Sequence, residues 1–179
     1  MKTSWRRPRV VRTLLVMLLC CTGSAALAGL LSDSDAKATP KEENSLALPD
    51  APKQENLLRY SVGAVSTMSF AIDAKSVSVG DDLIVRYSSV ITSTSGAVNM
   101  SYEGIRCKTA ERKLFATGRP DGSWNTVSDA EWRPVSGASA TSYQATLMKD
   151  FFCDGELVAG KASAIVERIR RKKPLRQTF

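Results

Sequence analysis

Leu83-Ile84-Val85-Arg86-Tyr87-Ser88-Ser89-Val90-Ile91-Thr92, then Ser93-Thr94-Ser95-Gly96, then Val98-Asn99-Met100-Ser101-Tyr102-Glu103-Gly104-Ile105-Arg106-Cys107: this stretch decides the fold. Its first run is rich in Val, Ile and Tyr, side chains that fit a pleated, half-buried surface. Its last run alternates, with Met100 and Tyr102 on one side and Ser101, Glu103 and Ile105 on the other. That is the period of a strand. The Ser/Thr/Gly connection is too short for a crossover, so the two strands pair antiparallel.

The pattern continues in both directions. Upstream, Met68, Phe70 and Ile72 alternate with Thr67, Ser69 and Ala71, and Val77 and Val79 lead into the turn Gly80-Asp81-Asp82. Downstream, Arg112 to Gly118 reads as another strand, stopped by Arg119-Pro120-Asp121-Gly122. Gly, Pro and Asp there are turn residues for backbone reasons. After Trp132-Arg133-Pro134-Val135 the period changes. Tyr143, Leu147 and Phe151 recur every four residues with Ala145 and Met148 beside them, predicting a helix over residues 141–152. Ala162, Ile165, Val166 and Ile169 predict a second over 162–173, ended by Pro174. The expected fold class is α+β: a four- to five-stranded antiparallel meander with one or two helices packed on a face, over residues 57–173.

Residues 29–56 are rich in Ser, Asp, Lys, Glu and Pro, without apolar periodicity apart from Leu46 and Leu48, and read as a flexible linker. Its continuation, Leu57-Leu58-Arg59-Tyr60-Ser61-Val62, is placed to dock onto the domain. Ahead of the linker, Lys2, Arg6, Arg7, Arg9 and Arg12 form a basic head, followed by an uncharged Leu-rich run from Thr13 to Ala28. Ala26-Leu27-Ala28 before Gly29 is the small-x-small pattern of a cleavage site, so residues 1–28 read as a secretory signal peptide. Two alternatives stay open: an outer-membrane lipoprotein modified at Cys20 or Cys21, and an uncleaved anchor, since Thr13 to Ser32 carries no charge. With cleavage after Ala28 the protein works in the periplasm or extracytoplasmic envelope of a bacterium, without a stable membrane span.

Cleavage changes the charge balance. It removes five of the 25 basic residues and none of the 18 acidic ones, taking the chain from +7 to +2. The stretch from Lys161 to Phe179 holds seven basic residues against Glu167, so the body before it nets −4. A mildly acidic exported body argues against nucleic-acid binding, and the basic end, including the tail at residues 174–179, leaves an anionic envelope surface as a partner class.

Two cysteines remain, Cys107 and Cys153, an even number for an oxidising compartment, and they are expected to pair. Closing a loop of that length contributes roughly 4 kcal/mol in the chain-entropy description. The chain contains no histidine, which removes the commonest general base and metal ligand. Asp81, Asp82, Asp121, Asp129, Glu131 and Asp154 are the carboxylates available for acid–base work, and Asp81, Asp82 and Asp121 sit in turn contexts that explain them. No phosphate loop or nucleophile elbow occurs, so no catalytic residue, metal or cofactor is assigned. For partner binding the candidates are Arg119, Trp124, Trp132 and Arg133, an aromatic and arginine grouping favoured at interfaces. The plainer reading is that the tryptophans plug the core. Glu103, Arg86, Arg106 and Arg112 are expected as cross-strand ion pairs on a solvated face.

Several motifs together carry a resemblance. Phe70-Ala71-Ile72-Asp73 with Ser76-Val77-Ser78-Val79-Gly80-Asp81-Asp82, the stretch Asn99 to Cys107, Gly118-Arg119-Pro120-Asp121-Gly122-Ser123-Trp124, Glu131-Trp132-Arg133-Pro134 and Lys149-Asp150-Phe151-Phe152-Cys153 resemble the cryptic neisserial protein family of exported bacterial proteins. The resemblance covers about residues 48–171. It implies export and the two-cysteine plan, and carries no activity to transfer. A looser similarity, in the order of strands, cysteines and Trp, is to surface adhesin protein E, which implies a sheet with helix packing. The functional expectation is an exported, non-catalytic binding or structural module whose partner is another envelope or extracellular protein. An adhesin-like surface protein and a carboxylate-dependent hydrolase are the alternatives.

Overall fold

The computed structural model describes residues 46–63, 66–136 and 142–175, all within the compact unit formed by residues 39–179. The leader, Cys20, Cys21, the Ala28–Gly29 junction and the linker up to residue 45 lie outside the described residues, as do residues 176–179 of the tail.

Among the described residues, ten strands form two sheets. β1 (Leu57–Tyr60), β2 (Ser69–Asp73), β4 (Ile84–Thr92), β5 (Val98–Arg106), β6 (Glu111–Gly118) and β7 (Trp124–Thr126) follow one another across the main sheet, every neighbour antiparallel. Two further short strands fill out its edges. β3 (Ser78–Val79) pairs with Val85 and Arg86 on the side of β4 that β2 occupies at Ser89 to Thr92. β8 (Arg133–Pro134) pairs with Glu111 and Arg112 on the side of β6 that β7 occupies further along. The meander is therefore wider than the four or five strands expected. The additional strands are two to four residues long, and β3, β7 and β8 are too short to show a period.

One face of this sheet is closed by helices. α1 (Tyr143–Thr146), capped by the Ser142 hydroxyl accepting from the Ala145 amide, runs directly into a π-helical turn over Leu147–Phe152. The wider turn presents Leu147, Phe151 and Phe152 to the sheet together, all buried. A regular helix was expected here, and four-residue spacing cannot distinguish the two. α2 (Ala162–Arg170) buries Ile165 and Ile169 against the same core. The Arg168 guanidinium donates to the carbonyls of Phe151 (2.7 Å) and Ala159 (2.9 Å), satisfying acceptors at the end of the π turn. β9 (Cys153–Asp154) and β10 (Leu157–Val158) form a small separate hairpin. Cys107 and Cys153 are bonded, with Cα atoms 5.6 Å apart, so the end of β5 is stapled to the chain leaving the π turn.

Glu103 belongs to this covered face and not to a solvated one. It is 2% exposed and accepts hydrogen bonds from Tyr87 Oη (3.0 Å), Ser101 Oγ (2.6 Å), the Tyr143 hydroxyl and Gln144 Nε2 (3.4 Å). A carboxylate with four donors is satisfied without solvent. The cross-strand ion pairs expected for it do not form. Arg86 binds Asp82 (2.6 Å) and Arg106 approaches Glu111 (3.4 Å) instead. Burial, together with the charge of Glu103, pushes the phenols of Tyr87 and Tyr143 well above their usual range, and burial does the same to Tyr60.

Candidate binding face

The other face of the sheet is built from aromatic rings. Strand alternation points Tyr102 and Gly104 away from the helices, and β6 answers with Phe115 and Ala116. Tyr102 faces Ala116 while Glu103 faces Leu114, so Phe115 is the extra residue of a β-bulge. The bulge lets β6 send Phe115 to this side, where it lies over Gly104. A Cβ at Gly104 would come within 2.7 Å of the Phe115 ring and 3.0 Å of Ile84, so only glycine leaves the space the ring occupies.

Around this pair stand the two tryptophans. Trp124 opens β7 opposite Gly118, its ring 6.2 Å from that of Tyr102. Trp132 immediately precedes β8 and meets Phe115 edge-on at 6.4 Å. Tyr102 and Phe115 are 5.8 Å apart, completing one cluster. Tyr102, Phe115 and Ala116 are buried, whereas both tryptophans are half-buried. The expected plug of the sheet core is therefore only half correct, since the indoles cover a secondary cluster and keep part of their surface in solvent.

Cations overlie the rings. The Arg106 guanidinium sits 4.0 Å from the Trp132 ring centre, Arg86 lies 5.7 Å from Phe115, and Lys113 is 5.7 Å from Phe115 and 5.8 Å from Trp132. Each such contact contributes about 0.5–1 kcal/mol near solvent. The hydrogen bond from Arg86 holds the Asp82 carboxyl below the usual carboxylate range. Of the candidate residues, Trp124 and Trp132 come together here. Arg119 is occupied in its own turn, donating to Asn125 (2.8 Å) and Ser123 (3.5 Å), and Arg133 is exposed on β8. Arg112 lies across the ladder from Arg133, and its charge acts on Tyr143 of the covered face.

The residues 46–49 supply a partial cover that the sequence does not announce. Leu46 and Leu48 pack onto the aromatic cluster, and Trp124 Nε1 donates to the Pro49 carbonyl at 2.7 Å. The described part of the expected linker is thus docked, followed by a 3-10 turn over Gln54–Asn56 and β1. Two leucines separated by one residue were the only signal, and they are too few to establish a period. Asp121 bonds the Ser123 amide (2.9 Å) and hydroxyl (2.7 Å), as a turn residue does. Among the described residues, no three His, Cys, Asp or Glu side chains converge to hold a metal. No described helix is long and apolar enough to cross a membrane.

The model of the CNP1-like family matches residues 36–170, and the chain belongs to that family. No curated protein and no solved structure matches it significantly.

Proposed function

We propose that this CNP1-like chain is a non-catalytic binding module of the extracytoplasmic bacterial envelope, delivered there by cleavage between Ala28 and Gly29. In this reading the aromatic face takes a segment of another envelope protein, one that carries apolar side chains beside a carboxylate. The observation that supports it most is the pairing of partly exposed Trp132 with the Arg106 guanidinium at 4.0 Å, on the face that the helices leave uncovered. Such a pair offers a flat apolar surface and a cation to the same ligand. Rings already held by Phe115 and Tyr102 lose little freedom when a partner arrives.

A photo-crosslinking amino acid at Trp132, introduced in cells, tests the reading. One envelope protein captured at position 132, with capture lost in Arg106→Ala, is the expected result. Absence of capture at 132, in a chain whose Cys107–Cys153 bridge is intact, overturns the assignment of the face. The mass of the recovered chain reads the compartment separately: an N-terminus at Gly29 agrees with the proposal, and incorporation of labelled palmitate favours the lipoprotein. A hydrolytic activity abolished by Asp121→Asn or Asp154→Asn would replace the binding reading with an enzymatic one.

A further inference from the structure

Two of the most exposed large apolar side chains converge on one cleft, which meets the aromatic face at Arg106. Leu83 is 63% exposed and Leu157 is 71% exposed, and with Val158 and Cys107 they line a space of about 370 Å³. Leu83 is doubly out of place. It adopts a φ of +58°, in the left-handed region that suits glycine, and its side chain faces solvent. The turn that holds it is well tied: its amide donates to the Gly80 carbonyl (3.0 Å), and Asp82 accepts from the Ile84 amide (3.2 Å) while paired with Arg86. Leu157 is presented by the β9–β10 hairpin, whose first strand begins at the disulfide. Neither side chain packs on the core clusters.

The charges on the rim indicate what covers them. Asp82 and Arg106 also line the cleft, but they are engaged with Arg86 and Glu111. Lys108 and Glu156 are both exposed, and no ion pair between described residues engages either. A rim of one sign would select a partner of the other sign. A rim with one free cation and one free anion is complementary to itself, because a two-fold axis brings each Lys108 to the other copy's Glu156. We infer that this cleft is a self-association surface, covered by the same cleft of a second copy of the chain. The cleft shares Arg106 with the aromatic face, but Leu83, Lys108, Glu156 and Leu157, which carry this inference, take no part in the function proposed there.

Sedimentation equilibrium tests it on the chain as recovered from cells, with every variant carrying the same N-terminus. The expected mass is twofold that of the chain at micromolar concentration. Leu157→Asp is expected to return it to a single copy. Leu83→Gly should also do so while leaving the thermal midpoint equal or higher, since glycine relieves the backbone. Lys108→Glu alone should weaken association about tenfold, and Lys108→Glu combined with Glu156→Lys should restore it to within about threefold. A wild-type chain of single mass throughout, a dimer indifferent to Leu157→Asp, or a charge swap that fails to rescue would each overturn the inference. The first of these outcomes would give the cleft to a different protein.

Discussion

The two faces of the main sheet solve the same problem, covering apolar side chains, by different means. On one, α1, the π turn and α2 bring Leu147, Phe152, Ile165 and Ile169 to almost complete burial over Ile72, Val85, Tyr87 and Ile105, and a disulfide locks the arrangement. On the other, the Phe115 ring lies against Gly104, cations lie over the rings, and a short extended segment is pinned by one indole. The first face spends its aromatic groups inward, on contacts such as Tyr87 against Phe152 at 5.0 Å. The second leaves its indoles partly exposed. Burial is thus concentrated on the helix-covered face, and partial exposure on the aromatic one.

That contrast can be broken from either side. The largest effect is expected from replacing Cys107 and Cys153 with serine: a loss of about 4 kcal/mol, because the bridge closes a long loop. Denaturant unfolding under oxidising conditions measures it, and the variant should lose the helical signal before tryptophan fluorescence changes. Next is Glu103→Gln, expected to cost about 2–3 kcal/mol, since buried hydroxyls then meet an amide in place of a carboxylate. The same region sets the alkaline limit. The folded-state phenols of Tyr87, Tyr143 and Tyr60 titrate above their unfolded value, so their contribution is intact below about pH 10 and is lost as pH rises beyond it. Each such tyrosine steepens the decline by about 1.4 kcal/mol per pH unit, readable as a falling denaturation midpoint.

On the aromatic side the effects are smaller. Gly104→Ala forces the Phe115 ring and Ile84 to yield, an overpacking cost of about 1–3 kcal/mol. Its near-ultraviolet dichroism should change while helix content does not. The smallest effect is expected from Trp124→Phe, which orphans the Pro49 carbonyl at a cost of about 1 kcal/mol. There the sharper readout is tryptic cleavage after Lys53, which should accelerate while global stability barely moves. A Trp124→Phe chain that unfolded as readily as the disulfide variant would erase the distinction between the faces.

Much of the covered face is legible in the chain. Alternation from Val98 to Cys107, the turn at Ser93 to Gly96 and the four-residue spacing of Tyr143, Leu147 and Phe151 give the hairpin and the covering helix with boundaries within a residue or two. The disulfide follows from its two cysteines. Period alone cannot say which side of a strand a helix covers, and so Glu103, read as a surface charge, turns out to be the polar centre of the core. Nor does period reveal an added residue: Leu114, Phe115 and Ala116 look like an unbroken run. The indoles are visible as residue types, but their shared cluster depends on β7 and β8 folding back onto β6. The π turn left no trace in spacing.

Phe115 is supernumerary in its ladder: without it, Tyr102 opposite Ala116 and Glu103 opposite Leu114 would already be consecutive rungs. Loss of a single codon would therefore straighten β6 into a regular strand and leave the helix-side pairing in place. It would also remove the ring on which Tyr102, Trp132 and the overlying cations converge. Reading frames shortened at this one position would encode a scaffold that keeps its fold and has lost its second face.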